Sequence, residues 1–375
     1  MGEDRAAKKI KTSAGTAVAA DTNNHASNHP VKAVILVGGG SKGTRFRPLS
    51  MDCPKPLFIV AGMPMVEHHV KACAKVPNMQ EIYLMGFYEE ELFHSFMDYC
   101  KDKYGVRITY LKESVALGTA GGLNRYRDVI LSGNPVATFV LHCDIACSFP
   151  LVEMLAWHEE NKVSCTVLGK ELSFDEAHKY GEMVTDPETH EMVHYAEKPQ
   201  SNISPIINGG IYIFSKQIFD HIHSVSEMRD PAHVGDEGAL VRLEQDVLMP
   251  LAGKKMIYVF KTNDFWGQIK APPQALVCSG LYMDYFKKME PELLTAPAST
   301  KMRASRGMAS APSHESLGSN FAKLDIVGTC MIHPSAKVSP DARIGPNVSI
   351  AAGCVIGSGV RLQNCLILED VVIQD

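Results

Sequence analysis

No two of the ten cysteines form a Cys-x-x-Cys pair: Cys53, Cys73, Cys100, Cys143, Cys147, Cys165, Cys278, Cys330, Cys354 and Cys365 are scattered over 375 residues. That scatter offers neither a zinc site nor a disulfide framework, and reduced thiols in a cytoplasmic protein are expected. No stretch approaches the roughly 18 consecutive apolar residues of a membrane span, and the N-terminus lacks the apolar core of a signal peptide. Met1-Gly2 has no Ser or Thr at position 6, which a myristoylation signal wants. Charge of one sign is also missing: 37 Lys and Arg against 42 Asp and Glu leave a net charge of -5, with no electrostatic footprint for nucleic acid. Small anionic ligands held by local Lys and Arg are not excluded.

What is present is ordinary soluble composition, 45% hydrophobic and 21% charged, on a chain long enough for more than one core. Residues 1–30 are rich in Ala, Lys, Asn, Thr and Ser without apolar periodicity, and are expected to be a disordered tail, the Lys8-Lys9-Ile10-Lys11 run included. From Val31 the pattern changes. The apolar run Ala33 to Val37 ends in Gly38-Gly39-Gly40, as a buried parallel strand entering a Gly-rich loop would. Further apolar runs at Ile82–Met85, Ile108–Leu111, Thr138–Leu141 and Cys165–Leu168 alternate with helix-like stretches at Met65–Lys75, Glu89–Lys101 and Phe149–Asn161. Strand and helix in repetition predict an α/β domain over 31–290 with a Rossmann-like, mostly parallel sheet. A Ser-, Ala- and Pro-rich linker is expected over 291–325.

Beyond it, aliphatic residues recur every six positions at Ile332, Val338, Ile344, Ile350, Ile356, Leu362 and Leu368. Small or aliphatic residues follow four further on at Ala336, Ala342, Val348, Cys354, Val360, Leu366 and Val372. Such hexapeptide repeats predict a left-handed parallel β-helix over 326–375, each step one short strand with its aliphatic residue in the shaft. The pattern is still running at Asp375, so a fragment, or a partner that covers the open end, is expected.

Chemistry is concentrated in Gly38-Gly39-Gly40-Ser41-Lys42-Gly43-Thr44-Arg45-Phe46-Arg47-Pro48-Leu49, followed by Pro54-Lys55-Pro56. A Gly-rich turn lets backbone N–H groups approach phosphates, and Arg45 and Lys55 supply compensating charge. In this wording the chain resembles the sugar-1-phosphate nucleotidyltransferases. Leu117 to Gly122, Asp144 beyond an apolar strand, Glu197-Lys198-Pro199, Asn208-Gly209-Gly210 and Phe265 to Ile269 fit that family in order. With the β-helix and the wording Thr44-Arg45-Phe46-Arg47-Pro48-Leu49-Ser50, it is most similar to the alpha-subunit branch of the GDP-mannose pyrophosphorylases. The resemblance implies binding of GTP, mannose 1-phosphate and GDP-mannose, with Mg²⁺, in a hetero-oligomer with a catalytic homologue. It implies that Arg45 and Lys55 serve the triphosphate as catalytic groups and that Gly38, Gly39, Gly43, Thr44, Gly118 and Thr119 line the nucleotide. Glu197, Lys198, Asn208 and Gly209 would hold the sugar phosphate, and Asp144 the metal.

Three departures from the family pattern bear on activity. Gly40-Ser41-Lys42 stands where the family has one residue, which lengthens the phosphate loop by two. Gln268 occupies the position of a second metal-binding Asp, with Lys270 close behind; an amide oxygen is a poorer Mg²⁺ ligand than a carboxylate. His142 replaces an Asn, and is expected as a neutral core residue, the other reading being a new pKa-sensitive contact. Two readings follow: a regulatory subunit that senses the nucleotide sugar, with weak or no catalysis, and an active mannose-1-phosphate guanylyltransferase or related sugar-1-phosphate nucleotidyltransferase. A pocket selected only to bind can lose a metal ligand that a transition state needs, which favours the first.

Overall fold

The computed structural model describes residues 29–39, 44–51, 53–229, 240–295 and 324–374. The expected tail, except His29 and Pro30, the Gly40–Gly43 part of the phosphate loop and most of the expected linker lie outside those residues. The chain divides into two compact units that interleave in sequence. The first takes Met1–Gly39, His69–Cys143 and Phe149–Asn263; the second takes Gly40–His68, Asp144–Ser148 and Asp264–Asp375.

The first unit is organised by a nine-stranded sheet. Its parallel part is made by the apolar runs seen in the sequence: Val31–Gly38 lies between Ala137–His142 and Met79–Gly86, and Arg107–Lys112 follows on the far side. These strands read as continuous hydrophobic stretches because both faces of the sheet are covered. The other part is antiparallel, so the sheet as a whole is mixed. Ile206–Phe214 runs against Ala137–His142 and Cys165–Glu171, and Gly181–Thr185 and Met192–Glu197 form the edge. Ile257–Thr262 adds parallel to Cys165–Glu171. Helices His94–Tyr104, Leu151–Asn161 and Lys216–Met228 follow their strands, the first stopped by Gly105 in the left-handed conformation that glycine adopts without a Cβ penalty. Val34, Tyr83, Val140, Val167, Tyr212, Phe214 and Phe219 form one buried cluster.

The parallel strands deliver their carboxyl ends to one edge. There the Phe87 N–H donates to the Gly38 carbonyl at 2.8 Å and the Glu113 N–H to the Gly86 carbonyl at 2.7 Å. A Cβ on Gly86 would meet the Gly38 oxygen at 2.3 Å, and one on Gly39 would meet Phe87 Cβ at 2.7 Å. These glycines are fixed by backbone packing between adjacent strand ends. Open α/β sheets take their ligands at this edge.

The second unit contains the Ile59–Val60/Met63–Pro64 hairpin, the antiparallel pair Ile145–Cys147/Trp266–Gln268, the helix Pro272–Met289 and a parallel β-helix. The β-helix has three faces, each a three-stranded parallel sheet. Ile326, Ile332, Ile344, Ile350 and Ile356 are buried in its shaft together with Ala336, Ala342, Val348 and Cys354. Thr295 ties the β-helix to the chain leading into it: its N–H donates to the Cys330 carbonyl at 2.8 Å, and its hydroxyl accepts the Ile332 N–H at 2.9 Å.

The six-residue phase does not hold to the end. Cys330 pairs with Val348, 18 residues on, but Val348 pairs with Cys365, only 17 on. The corner Gly345-Pro346-Asn347 has three residues where its successor, Gln363-Asn364, has two, with Asn364 at φ 47°. After Leu362 the inward residues are therefore Cys365, Ile367, Val371 and Ile373, not the expected Leu366, Leu368 and Val372, and Val372 is 58% exposed. Among the described residues no helix is long and apolar enough to cross a membrane, and all ten cysteines are free thiols.

Candidate functional site

The sequence-predicted residues fall into clusters, each inside one unit. In the second unit, Pro54 starts the short turn Lys55–Leu57, and the Lys55 ammonium stands 3.5 Å from an Asp144 carboxylate oxygen. The Lys55 and Asp144 side chains are 17% and 25% exposed, so the pair is partly desolvated yet reachable. The Gln268 amide donates to both Asp144 oxygens, at 3.3 and 3.4 Å. The two are held opposite each other by the strand pair, in which Gln268 faces Ile145. Phe46 lies under the Lys55 ammonium, 5.9 Å from ring centre to nitrogen, and packs edge-on against Phe58. Thr44 and Arg45 open the short turn Thr44–Phe46, both exposed, while Gly43 lies outside the described residues.

In the first unit Gly118 and Thr119 begin the helix Gly118–Arg125. Gly118 has φ 78°, and a Cβ there would lie 2.4 Å from the Val241 carbonyl oxygen. The Thr119 hydroxyl accepts the Leu243 N–H at 3.0 Å, and the Val241 carbonyl accepts the Ala120 and Gly121 N–H groups. The residue types at 118 and 119 are thus dictated by the 241–243 backbone that closes over them. Any contact to a base is left to backbone groups.

Glu197, Lys198 and Asn208 come together around two buried tyrosines. The Lys198 ammonium donates to Glu197 Oε1, and the Tyr195 hydroxyl donates to Glu197 Oε2 at 2.8 Å. Asn208 Nδ2 donates to the Tyr212 hydroxyl at 2.9 Å and to that of Tyr195 at 3.4 Å, while its Oδ1 accepts the Gly210 N–H at 3.0 Å. Lys198 sits at φ 47°, a left-handed conformation held by its N–H bond to the Tyr180 carbonyl at 3.2 Å. Gly181 is required here, because a Cβ would meet the Tyr195 hydroxyl at 2.0 Å. Gly209 is likewise packed against Leu168, whose carbonyl oxygen would lie 2.8 Å from an added Cβ. Burial, with the Glu197 charge nearby, raises the Tyr195 hydroxyl above its ordinary range; burial and Glu244 do the same to Tyr212. Both stay neutral.

Three members of this network, Glu244, Tyr195 and Tyr212, carry no sequence motif. Glu244 lies in a π-helical turn, Leu243–Leu248, and its Oε1 is 3.4 Å from His142 Nε2. Burial pushes the Glu244 carboxyl up, but the hydrogen bond and charge of His142, with Lys198 further off, hold it below the usual value. His142 is partly exposed, not the core residue expected from the sequence. Its side chain is 23% exposed, it meets Tyr212 edge-on at 5.9 Å, and its carbonyl accepts a hydrogen bond from His69 at 3.1 Å. Tyr195 and Tyr212 were hidden in the sequence as ordinary strand aromatics. Only the alternation along Met192–Glu197 and Ile206–Phe214 would place them on the side of Glu197 and Asn208.

A sheet with its loops gathered at the strand ends, a Lys–carboxylate pair and a Glu–Lys–Asn cluster define a nucleotide-handling α/β protein. The nucleotidyl transferase family model matches residues 32–249, and a model described as the GMPPB C-terminal domain matches 326–375. The chain belongs to the nucleotidyl transferase family. It is 45% identical over 275 residues to the mannose-1-phosphate guanylyltransferase regulatory subunit alpha of Dictyostelium discoideum, which spans 70% of this chain and 67% of the relative. It is 41% identical over 355 residues to regulatory subunit alpha-B of Danio rerio, with 92% and 79% covered. The Homo sapiens regulatory subunit alpha is 44% identical over 70% of this chain and 65% of its own length. The chain thus matches about two thirds of the length of most of these relatives. A Bacillus anthracis protein named for glucose-1-phosphate thymidylyltransferase, solved in complex with a sucrose, shares the fold at TM-score 0.56, 19% identity, over 67% of this chain and 94% of that one. A UDP-glucose pyrophosphorylase complexed with UDP-glucose does so at TM-score 0.55, 18% identity, over 69% and 100%.

Proposed function

We propose that this chain is a regulatory subunit that binds GDP-mannose and controls a catalytic homologue, with little or no guanylyltransferase activity of its own. The observation that carries this reading is the setting of Asp144. It faces the Gln268 amide and Lys55 instead of a second carboxylate, while Glu197, Lys198 and Asn208 keep a polar cluster suited to a sugar phosphate. Joining GTP to mannose 1-phosphate concentrates negative charge at the transferring phosphorus, and catalysis there depends on cations held in place. Holding a finished nucleotide sugar makes a smaller demand, because charge does not build up during binding.

In this reading the 31–290 segment is the binding domain and the 326–375 β-helix an assembly module, joined by the 291–325 linker. Arg45 and Lys55 neutralise the diphosphate; Gly38, Gly39, Gly43, Thr44, Gly118 and Thr119 border the nucleotide. Glu197 accepts from sugar hydroxyls, Lys198 meets a phosphate oxygen, and Asn208 and Gly209 shape the sugar pocket. Sugar nucleotidyltransferases generally use a divalent metal. Among the described residues no group of three or more His, Cys, Asp or Glu could cage one. Mg²⁺, however, often keeps its waters and takes one carboxylate plus ligand phosphates, and Asp144 fits as that single protein ligand. Bound there, the ion would supply charge neutralisation to the phosphates.

The alternative, an active mannose-1-phosphate guanylyltransferase, is favoured by the retained Lys55–Asp144 pair. Calorimetric titration with GDP-mannose and with GTP, each with and without Mg²⁺, tests the proposal. Saturable GDP-mannose binding that Lys198→Ala weakens by about tenfold or more is expected, and no binding by the folded chain would remove the sensor reading.

A further inference from the structure

We infer that Glu244, oriented by His142, is a specificity-determining residue that reads hexose hydroxyls of the bound nucleotide sugar. The inference rests on the GDP-mannose reading and extends it to a residue that no motif supplies.

The Glu244 carboxylate has fewer partners than it can accept. Glu244 is three-quarters buried, with a side-chain exposure of 24%, on a turn that the Thr119 hydroxyl fastens at Leu243. His142 provides one neighbour at 3.4 Å, its own backbone N–H a second, and Lys198 acts on it only at longer range. An ionised carboxylate offers about four acceptor positions, and burial makes unfilled ones costly. Held below its usual pKa, this group is an acceptor without a proton to give. Its complement is a ligand rich in O–H donors, and a phosphate is its opposite.

The surroundings sort the ligand accordingly. Glu197 and Lys198 form one close pair, with Tyr195 bonded to Glu197, and Glu244 and His142 form another beside Tyr212, with the Asn208 amide reaching both tyrosine hydroxyls. The ammonium of Lys198 suits a phosphate oxygen, whereas the two carboxylates suit a diol. A six-residue π-helical turn is a rare conformation that often marks functional positions, and Glu244 stands in its first turn. Removing a partner from a hydrogen bond to a charged group commonly costs tenfold to a hundredfold in affinity.

The test compares GDP-mannose with GDP on the full chain, for wild type, Glu244→Gln and His142→Leu. Glu244→Gln is expected to lose about tenfold or more in GDP-mannose affinity while GDP affinity stays within about twofold. His142→Leu should lose less, again for GDP-mannose alone. Unchanged GDP-mannose affinity in Glu244→Gln, or equal losses for GDP and GDP-mannose in both variants, would overturn the assignment and leave Glu244 a structural residue. A wild-type chain that binds GDP but shows no preference for GDP-mannose defeats the functional proposal itself, a result distinct from either.

Discussion

Asp144 receives two nitrogen groups, the Lys55 ammonium and the Gln268 amide, where two carboxylates facing one another would leave room for a cation. Gln268→Asp would restore that pairing. We expect the variant to bind Mg²⁺ in the presence of GDP-mannose at least about tenfold more tightly than wild type, by titration calorimetry, and an unchanged affinity would detach Gln268 from metal binding. His158 carries a different prediction. Its imidazole is 5% exposed, lies 2.7 Å from the Thr166 hydroxyl, and is lowered by burial to about 4. The unfolded state takes up the proton first, so this contribution to stability is complete above about pH 6.5 and disappears as pH falls through 4, a span worth of order 3 kcal/mol. Wild type should lose melting temperature between pH 7 and 5 more steeply than His158→Gln; parallel slopes would show that other groups dominate. Arg45, Lys55, Glu197, Lys198 and Asn208 could be named as candidates from the sequence because they stand in compact motifs that contain Gly or Pro, and Asp144 because an apolar strand precedes it. Glu244 could not, since a lone Glu in an amphipathic stretch is usually a solvated charge, and its contact to His142 spans about a hundred residues of chain.

At the scale of elements, glycine positions separate folding from binding. Gly118→Ala combines a left-handed backbone with a 2.4 Å approach to the Val241 oxygen, and a loss of about 2 kcal/mol or more is expected in urea unfolding. Ile344→Ala in the β-helix shaft should cost about 2–5 kcal/mol, whereas Val372→Ala, on an outward-facing side chain, should cost under about 1 kcal/mol. Equal costs would contradict the shortened corner. The hexapeptide repeat was readable because burial repeats with the coil. Its slip after Leu362 was not, because Leu366, Ile367 and Leu368 are all aliphatic and only strand pairing decides which enters the shaft. The parallel strands were likewise plain as long apolar runs. The antiparallel edge, Gly181–Thr185 and Met192–Glu197, alternates buried and exposed positions too irregularly to stand out.

At the scale of the molecule, family membership and the order of motifs agree, and relatives at 41–46% identity are regulatory alpha subunits. Sequence alone separated binding from catalysis only through Gln268 and the lengthened loop at Gly40-Ser41-Lys42, since a binding site and an active site use nearly the same residues. The proposed regulatory subunit keeps recognition without turnover. Pyrophosphate release by the purified chain, supplied with GTP, mannose 1-phosphate and Mg²⁺, tests this most directly, with Lys55→Ala as the control for contaminating enzyme. Release no greater than that of the Lys55→Ala control is the expected result, and release that Lys55→Ala abolishes would contradict the account and make the chain a catalyst.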